Sequence, residues 1–188
     1  MDKCLIFAVA GSGKTSYLVD NINLEKRFVL VTYTINNSAN LKRKIIEKFG
    51  YMPKNIKVFS YFSFLFSFCF KPFLSMELGA KGVVFKENPI RKARGNARYI
   101  SSNGWLYANR LARFIEEKGI LDDVKARLEK YYDVLMIDEV QDFGGHDFNF
   151  LAHIAPSNLD MHFVGDFFQH TFDTSRDANV NKNLHNEF

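Results

Sequence analysis

Short apolar runs alternate with segments whose apolar residues recur at helical spacing, and each run ends in small or polar residues. Residues 3 to 15 begin as such a run and end in a small-residue loop that leads into a helical pattern, Ser16 to Ile22, with Tyr17, Leu18 and Ile22 on one face. Phe28 to Tyr33 is β-branched and aromatic, which predicts a buried strand. Thr34, Asn36 and Asn37 offer caps for a helix that runs to about Phe49, with Leu41, Ile45, Ile46 and Phe49 inward, and Gly50 stops it. Ile56 to Ser60 is a third strand. From Tyr61 onward an apolar helix is expected, with Ser60, Ser63 and Ser67 on one face. Trp105 to Lys118 reads as an amphipathic helix with Trp105, Ala108, Leu111, Ala112 and Ile115 inward, and a further helix covers Leu121 to Tyr131. Val134 to Ile137 and Met161 to Val164 are apolar strands, separated by a helix from His146 to Ala155. Strands that alternate with helices, with polar signals at the strand ends, predict an α/β fold. Its parallel sheet would carry helices on both faces and a ligand site at the carboxyl edge.

Between residues 75 and 118 the regular alternation breaks. Gly79, Gly82, Gly95 and Gly104 interrupt the pattern, and residues 81 to 113 carry eight basic side chains against one acid, Glu87. We therefore expect a discontinuous core, 1–74 and 119–172, with a basic and mostly helical insertion at 75–118 and a polar tail or linker at 173–188. The net charge is only +4, so the basic character is concentrated in the insertion. Such a concentration suits contact with a phosphate backbone, and it equally suits a solvated surface. Cys4 and Cys69 both lie in apolar runs and form no CxxC pair, which argues against a disulfide framework or a zinc site. The five histidines show no metal-ligand spacing. No signal-peptide pattern is seen, and the run from Val58 to Phe70 is too short to cross a bilayer; a cytoplasmic protein is expected.

The candidate chemistry sits at the ends of the strands. Ala8 to Thr15 combines small residues with Gly11, Gly13, Lys14 and Thr15, between a strand and a helix. This is the layout of a phosphate-binding P-loop, in which glycines permit close backbone approach, the lysine reaches the phosphates and the threonine hydroxyl ligates Mg²⁺. Ala8 stands where the usual pattern has glycine. Asp138 and Glu139 follow a wholly apolar strand, as expected of a carboxylate that supports the metal and a base that activates water.

The motifs together resemble those of the UvrD/Rep/PcrA-like superfamily 1 DNA helicases. Ala10-Gly11-Ser12-Gly13-Lys14-Thr15 matches that family's P-loop, and Asp138-Glu139-Val140-Gln141-Asp142 its Asp-Glu-x-Gln-Asp motif. Leu30 to Thr34 is similar to Leu-Thr-Phe-Thr-Asn, Ser60 to Ser63 loosely to Thr-Phe-His-Ser, and Val164 to Gln169 to Val-Gly-Asp-x-x-Gln. The resemblance implies a RecA-like P-loop core, the first motor domain of such an enzyme. It implies that ATP and Mg²⁺ are held by residues 10 to 16 (Ala10, Gly11, Ser12, Gly13, Lys14, Thr15 and Ser16), with Thr15 and Asp138 on the metal. Glu139 would be the catalytic base, and Gln169 would sense the terminal phosphate. Thr32, Tyr33, Thr34, Ser60, Tyr61 and Phe62 fall where the family contacts single-stranded DNA, although these rings would equally serve a core. Arg91, Lys92, Arg94 and Arg98 would add contacts from the insertion.

Departures from the family accompany the matches. The stacking tryptophan expected after the last motif is absent, since His170-Thr171-Phe172 is followed by Asp173-Thr174-Ser175. The family's second RecA-like domain, which brings arginine fingers, would have to act in cis or in trans. Arginine fingers are worth about 10³–10⁵ in rate, so this chain alone is expected to bind nucleotide and hydrolyse it slowly. The competing expectation is a nucleotide-dependent switch or DNA-binding module that works with a partner and unwinds nothing.

Overall fold

The computed structural model describes residues 2–9 and 11–166. The expectations placed on Ala10, Gln169 and the 173–188 tail lie outside these residues. Five strands form one wholly parallel sheet: β1 (Lys3–Phe7), β2 (Phe28–Thr32), β3 (Ile56–Ser60), β6 (Val134–Asp138) and β7 (Asp160–Gly165), in the order β1-β7-β6-β2-β3. Helices α1 (Lys14–Asp20), α2 (Ile35–Phe49), α5 (Leu111–Glu117), α6 (Leu121–Tyr131) and α7 (His146–Ile154) flank it. The α/β class and the parallel sheet match the expectation from the sequence.

Sequence pattern explains the order. Every residue of β2 and β6 is buried, as central strands covered on both faces require. Successive side chains of β2 then alternate between two apolar layers. Phe28 and Leu30 pack with Leu18, Leu41 and Ile45 of α1 and α2. Val29 and Val31 pack on the other face with Tyr61, Phe114, Val124 and Phe150. β1 lies at one end of the sheet, and its exposed and half-buried residues alternate. The side chain of Thr34 caps α2 by accepting from the Asn37 N–H at 3.1 Å, and Gly50, with φ of 80°, ends it.

After β3 the chain runs through one helical path: α3 (Tyr61–Phe64), a π-helical turn at Leu65–Phe70, and α4 (Lys71–Leu78). Pro72 stands just beyond the widened turn; it has no N–H, and its ring crowds the carbonyl four residues back. The insertion departs from the mostly helical expectation. Its centre is a two-stranded parallel sheet of β4 (Gly82–Val84) and β5 (Trp105–Tyr107), with a 3₁₀ turn at Gly95–Arg98. Trp105 therefore begins a strand, and the helix starts at Leu111. Its ring lies against Gly82, where a Cβ would come within 2.7 Å, and stays 44% exposed. Tyr99, Leu106 and Leu111 join the same apolar cluster as the helices on that face of the main sheet, so the insertion shares the main core.

Candidate functional site

All five parallel strands end at one edge, which brings Gly11 to Thr15, Tyr33, Ser60, Asp138 and Asp166 to one side of the molecule. β7 lies between β1 and β6, so Gly165 and Asp166 end between the strands that lead to the Gly-rich loop and the Asp-Glu pair. Gly11 and Gly13 have φ of 78° and 88°, a region that side chains with a Cβ rarely enter. Lys14 is nearly buried and folds back on the loop, donating to the Ala8 carbonyl at 2.9 Å and the Val9 carbonyl at 3.2 Å. Its ammonium is 3.8 Å from a carboxylate oxygen of Asp166.

The Thr15 hydroxyl donates to Asp138 Oδ2 at 3.1 Å, joining residues 123 positions apart. Burial raises the Asp138 carboxyl above its ordinary range, and the charge of Glu139 adds to this. The Thr15 hydrogen bond and Lys14 oppose the shift. A cation between these groups would favour the charged form. Among the described residues no cluster of three or more His, Cys, Asp or Glu side chains forms a self-contained metal cage. Thr15 and Asp138 are the described side chains here that could contribute oxygens to a hard cation whose other ligands come from outside the chain.

Glu139 is the one non-glycine residue with positive φ among those described, at 57°. Backbone of this kind costs about 1–3 kcal/mol and persists where the surroundings hold it. Those surroundings include Gln141, to which sequence reasoning gave no separate role. Its side-chain amide donates to Glu139 Oε2 at 2.7 Å, and its oxygen accepts from the Asp166 N–H at 2.9 Å. Gln141 thus ties the end of β6 to the end of β7 and fixes the Glu139 carboxylate. Gly165 allows this approach, because a Cβ there would lie 2.8 Å from both Gln141 Oε1 and Val140 Cγ1. Gln141 was visible as part of the five-residue motif; its bridging role depends on the adjacency of β6 and β7.

The residues expected on a DNA strand divide into two groups. Thr32 and Tyr61 are fully buried, and Ser60 nearly so, which corrects their expected place on a binding surface. The Thr32 hydroxyl donates to the Thr34 carbonyl at 3.2 Å, and that of Ser60 to Ser63 at 2.8 Å. Tyr61 is walled in by Phe143 and Phe150, at ring separations of 4.6 and 6.4 Å. Tyr33 and Phe62 are half-buried and line a cleft of about 330 Å³ between the core and the insertion, together with Phe85, Asn109, Asp142 and Asp147. Arg91, Lys92 and Arg94 are exposed, and Arg98 is half-buried. Ser16 accepts a hydrogen bond from Lys44 at 3.2 Å, on the α2 side of the loop.

Asp147, also unforeseen, accepts a hydrogen bond from the Tyr61 hydroxyl at 3.1 Å. Burial pushes its carboxyl up to about 7, against the opposing effect of that hydrogen bond. A folded-state value above the unfolded one of about 3.9 means that the native state holds the extra proton between these limits. Stability from this group is therefore full below about pH 4 and falls as pH rises towards 7. Asp147→Asn keeps an acceptor for Tyr61 and does not titrate. Urea unfolding at pH 5 and pH 8 should show a loss on the order of 2 kcal/mol in the wild type that is absent from the variant. Parallel pH profiles would remove Asp147 as the source.

A scan against protein-family models finds no match for this chain, and neither does a search of curated proteins.

Proposed function

We propose that this chain is the ATP-binding motor domain of a UvrD/Rep/PcrA-like superfamily 1 DNA helicase or translocase, with a RecA-like P-loop core. The observation that carries the reading is the Thr15–Asp138 contact, which joins the Gly-Lys-Thr loop to the Asp-Glu strand end. An isolated glycine turn and an isolated acidic pair have no reason to meet; the two halves of a Mg²⁺-nucleotide site do.

In this reading Lys14 leaves the Ala8 and Val9 carbonyls for the β- and γ-phosphates, and Thr15 and Asp138 support the metal. Bound Mg²⁺ would offset the phosphate charge. Glu139, aimed by Gln141, orients the attacking water and accepts its proton. Asp166, tied to the same glutamine through its N–H, couples the tip of β7 to that carboxylate. The single strand runs over the cleft formed by Tyr33, Phe62 and Phe85, whose rings suit base stacking. Arginines from a second RecA-like domain, in cis or in trans, complete the site.

Anisotropy of a labelled single-stranded oligonucleotide, with phosphate release measured in parallel, tests both halves of this proposal. Binding at low salt that weakens as salt rises, with turnover near background, is the expected outcome. No affinity at low salt removes the strand-binding role and leaves a nucleotide switch. Robust turnover by the 188 residues alone means that the activating arginine comes from this chain or from a second copy.

A further inference from the structure

A basic recess, distinct from the cleft beside Tyr33, lies in the insertion. It has a volume of about 360 Å³ and forms where the Gly95–Arg98 turn meets the end of α5. Its floor is the stacked pair Tyr99 and Phe114, with ring centroids 4.4 Å apart and both residues buried. Arg94, Arg98 and Lys118 line the walls. Arg98 lies over the Tyr99 ring and Lys118 over the Phe114 ring, at 5.6 Å in each case. Glu117 also lines the recess, but it is paired with Arg113 at 2.9 Å and lies 4.0 Å from Arg98. Lys118 lies 3.6 Å from Glu77. The Tyr99 hydroxyl is near Glu117, yet it is a buried oxygen that lacks a hydrogen bond of good geometry.

We propose that this recess seats one backbone phosphate of the bound nucleic-acid strand, held by Arg94, Arg98 and Lys118, with the Tyr99 hydroxyl as a neutral donor. The inference rests on the strand-binding reading above and names a contact point within the insertion. Guanidinium forks match phosphate oxygens two at a time, which a solvated charge does not require. Arg94, Arg98, Arg113 and Lys118 outnumber Glu117 and Glu77 around the recess, which sets the sign of the guest. The volume exceeds that of a bare phosphate and suits a sugar-phosphate unit. The Tyr99 hydroxyl, whose contact with Glu117 is poorly aligned, can turn to donate to a phosphate oxygen that enters.

The test titrates a labelled single-stranded deoxyoligonucleotide into the full chain and its variants across a salt series. Arg94→Gln combined with Arg98→Gln should lower affinity about tenfold at low salt. It should also flatten the slope of log affinity against log salt by about 0.7 for each phosphate charge that is no longer neutralised. Tyr99→Phe keeps the ring stack and should weaken binding about threefold with the slope unchanged, because the hydroxyl carries no charge. Arg98→Lys should restore the slope and only part of the affinity, which separates a phosphate contact from a folding defect. Wild-type binding with unchanged affinity and slope in the glutamine variant overturns the recess while sparing the wider reading; no wild-type binding overturns both. Inorganic phosphate that binds in an Arg98-dependent way at matched ionic strength without displacing the strand would assign the recess to free phosphate and overturn the strand assignment.

Discussion

Replacing Lys14 with alanine should weaken Mg²⁺-ATP binding by about 100-fold or more. The side chain is only 8% exposed, its ammonium lies 3.8 Å from Asp166, and its charge acts on the Asp138 carboxyl. In the proposed site its loss would leave the acidic strand ends facing a triphosphate with no opposing charge from the loop. A hydrogen bond to a charged group contributes about 1.5–3 kcal/mol, and each 1.4 kcal/mol is tenfold in affinity. Two phosphate contacts therefore account for the expected loss. The variant should still fold, because the hydrogen bonds it removes run to the Ala8 and Val9 carbonyls at the molecule's edge. Calorimetric titration with the nucleotide checks this, and unchanged affinity would remove the phosphate-binding loop from the proposal.

Phe143→Ala should destabilise the chain by about 3–5 kcal/mol, the range for truncating a buried phenylalanine. Phe143 is fully buried immediately after the acidic motif, with its ring edge-on to Tyr61 at 4.6 Å and to Tyr33 at 5.4 Å. It ends the 3₁₀ turn Val140–Asp142, so the cavity left behind also loosens Gln141 and, through it, Glu139. Phe85→Ala is the control. Its ring touches Phe62 at 5.3 Å but is 68% exposed, and a change within about 0.5 kcal/mol is expected. Urea unfolding of the two variants separates these outcomes. A loss below about 1 kcal/mol for Phe143→Ala would mean that the aromatic cluster gives the acidic motif little support.

These two residues illustrate what local pattern could convey. The placement of Lys14, Thr15, Asp138 and Glu139 at strand ends was legible because strand, loop and acidic pair are each written in consecutive residues. Their meeting follows once the strands are parallel and end at one edge. The burial of Tyr61 was not legible, because the groups that cover it, Phe143, Asp147 and Phe150, lie more than 80 residues later. An aromatic residue at a strand end reads the same whether or not a later helix closes over it. Trp105 misled for a related reason. It fits the helical period of Ala108, Leu111 and Ile115, yet a distant glycine, Gly82, leaves room for its ring and allows Trp105 to Tyr107 to pair as a strand. The role of Gln141 required knowing that β7 lies beside β6, which nothing in either strand states.

Thr15 and Asp138 are proposed as two halves of one magnesium-nucleotide site. Its most direct test is a calorimetric titration of ATP into the wild-type chain and into Asp138→Ala, each with and without Mg²⁺. Saturable binding that Mg²⁺ tightens in the wild type, with that gain lost in Asp138→Ala, is the expected result. Absence of binding in the wild type, or a Mg²⁺ gain that survives in Asp138→Ala, would contradict it.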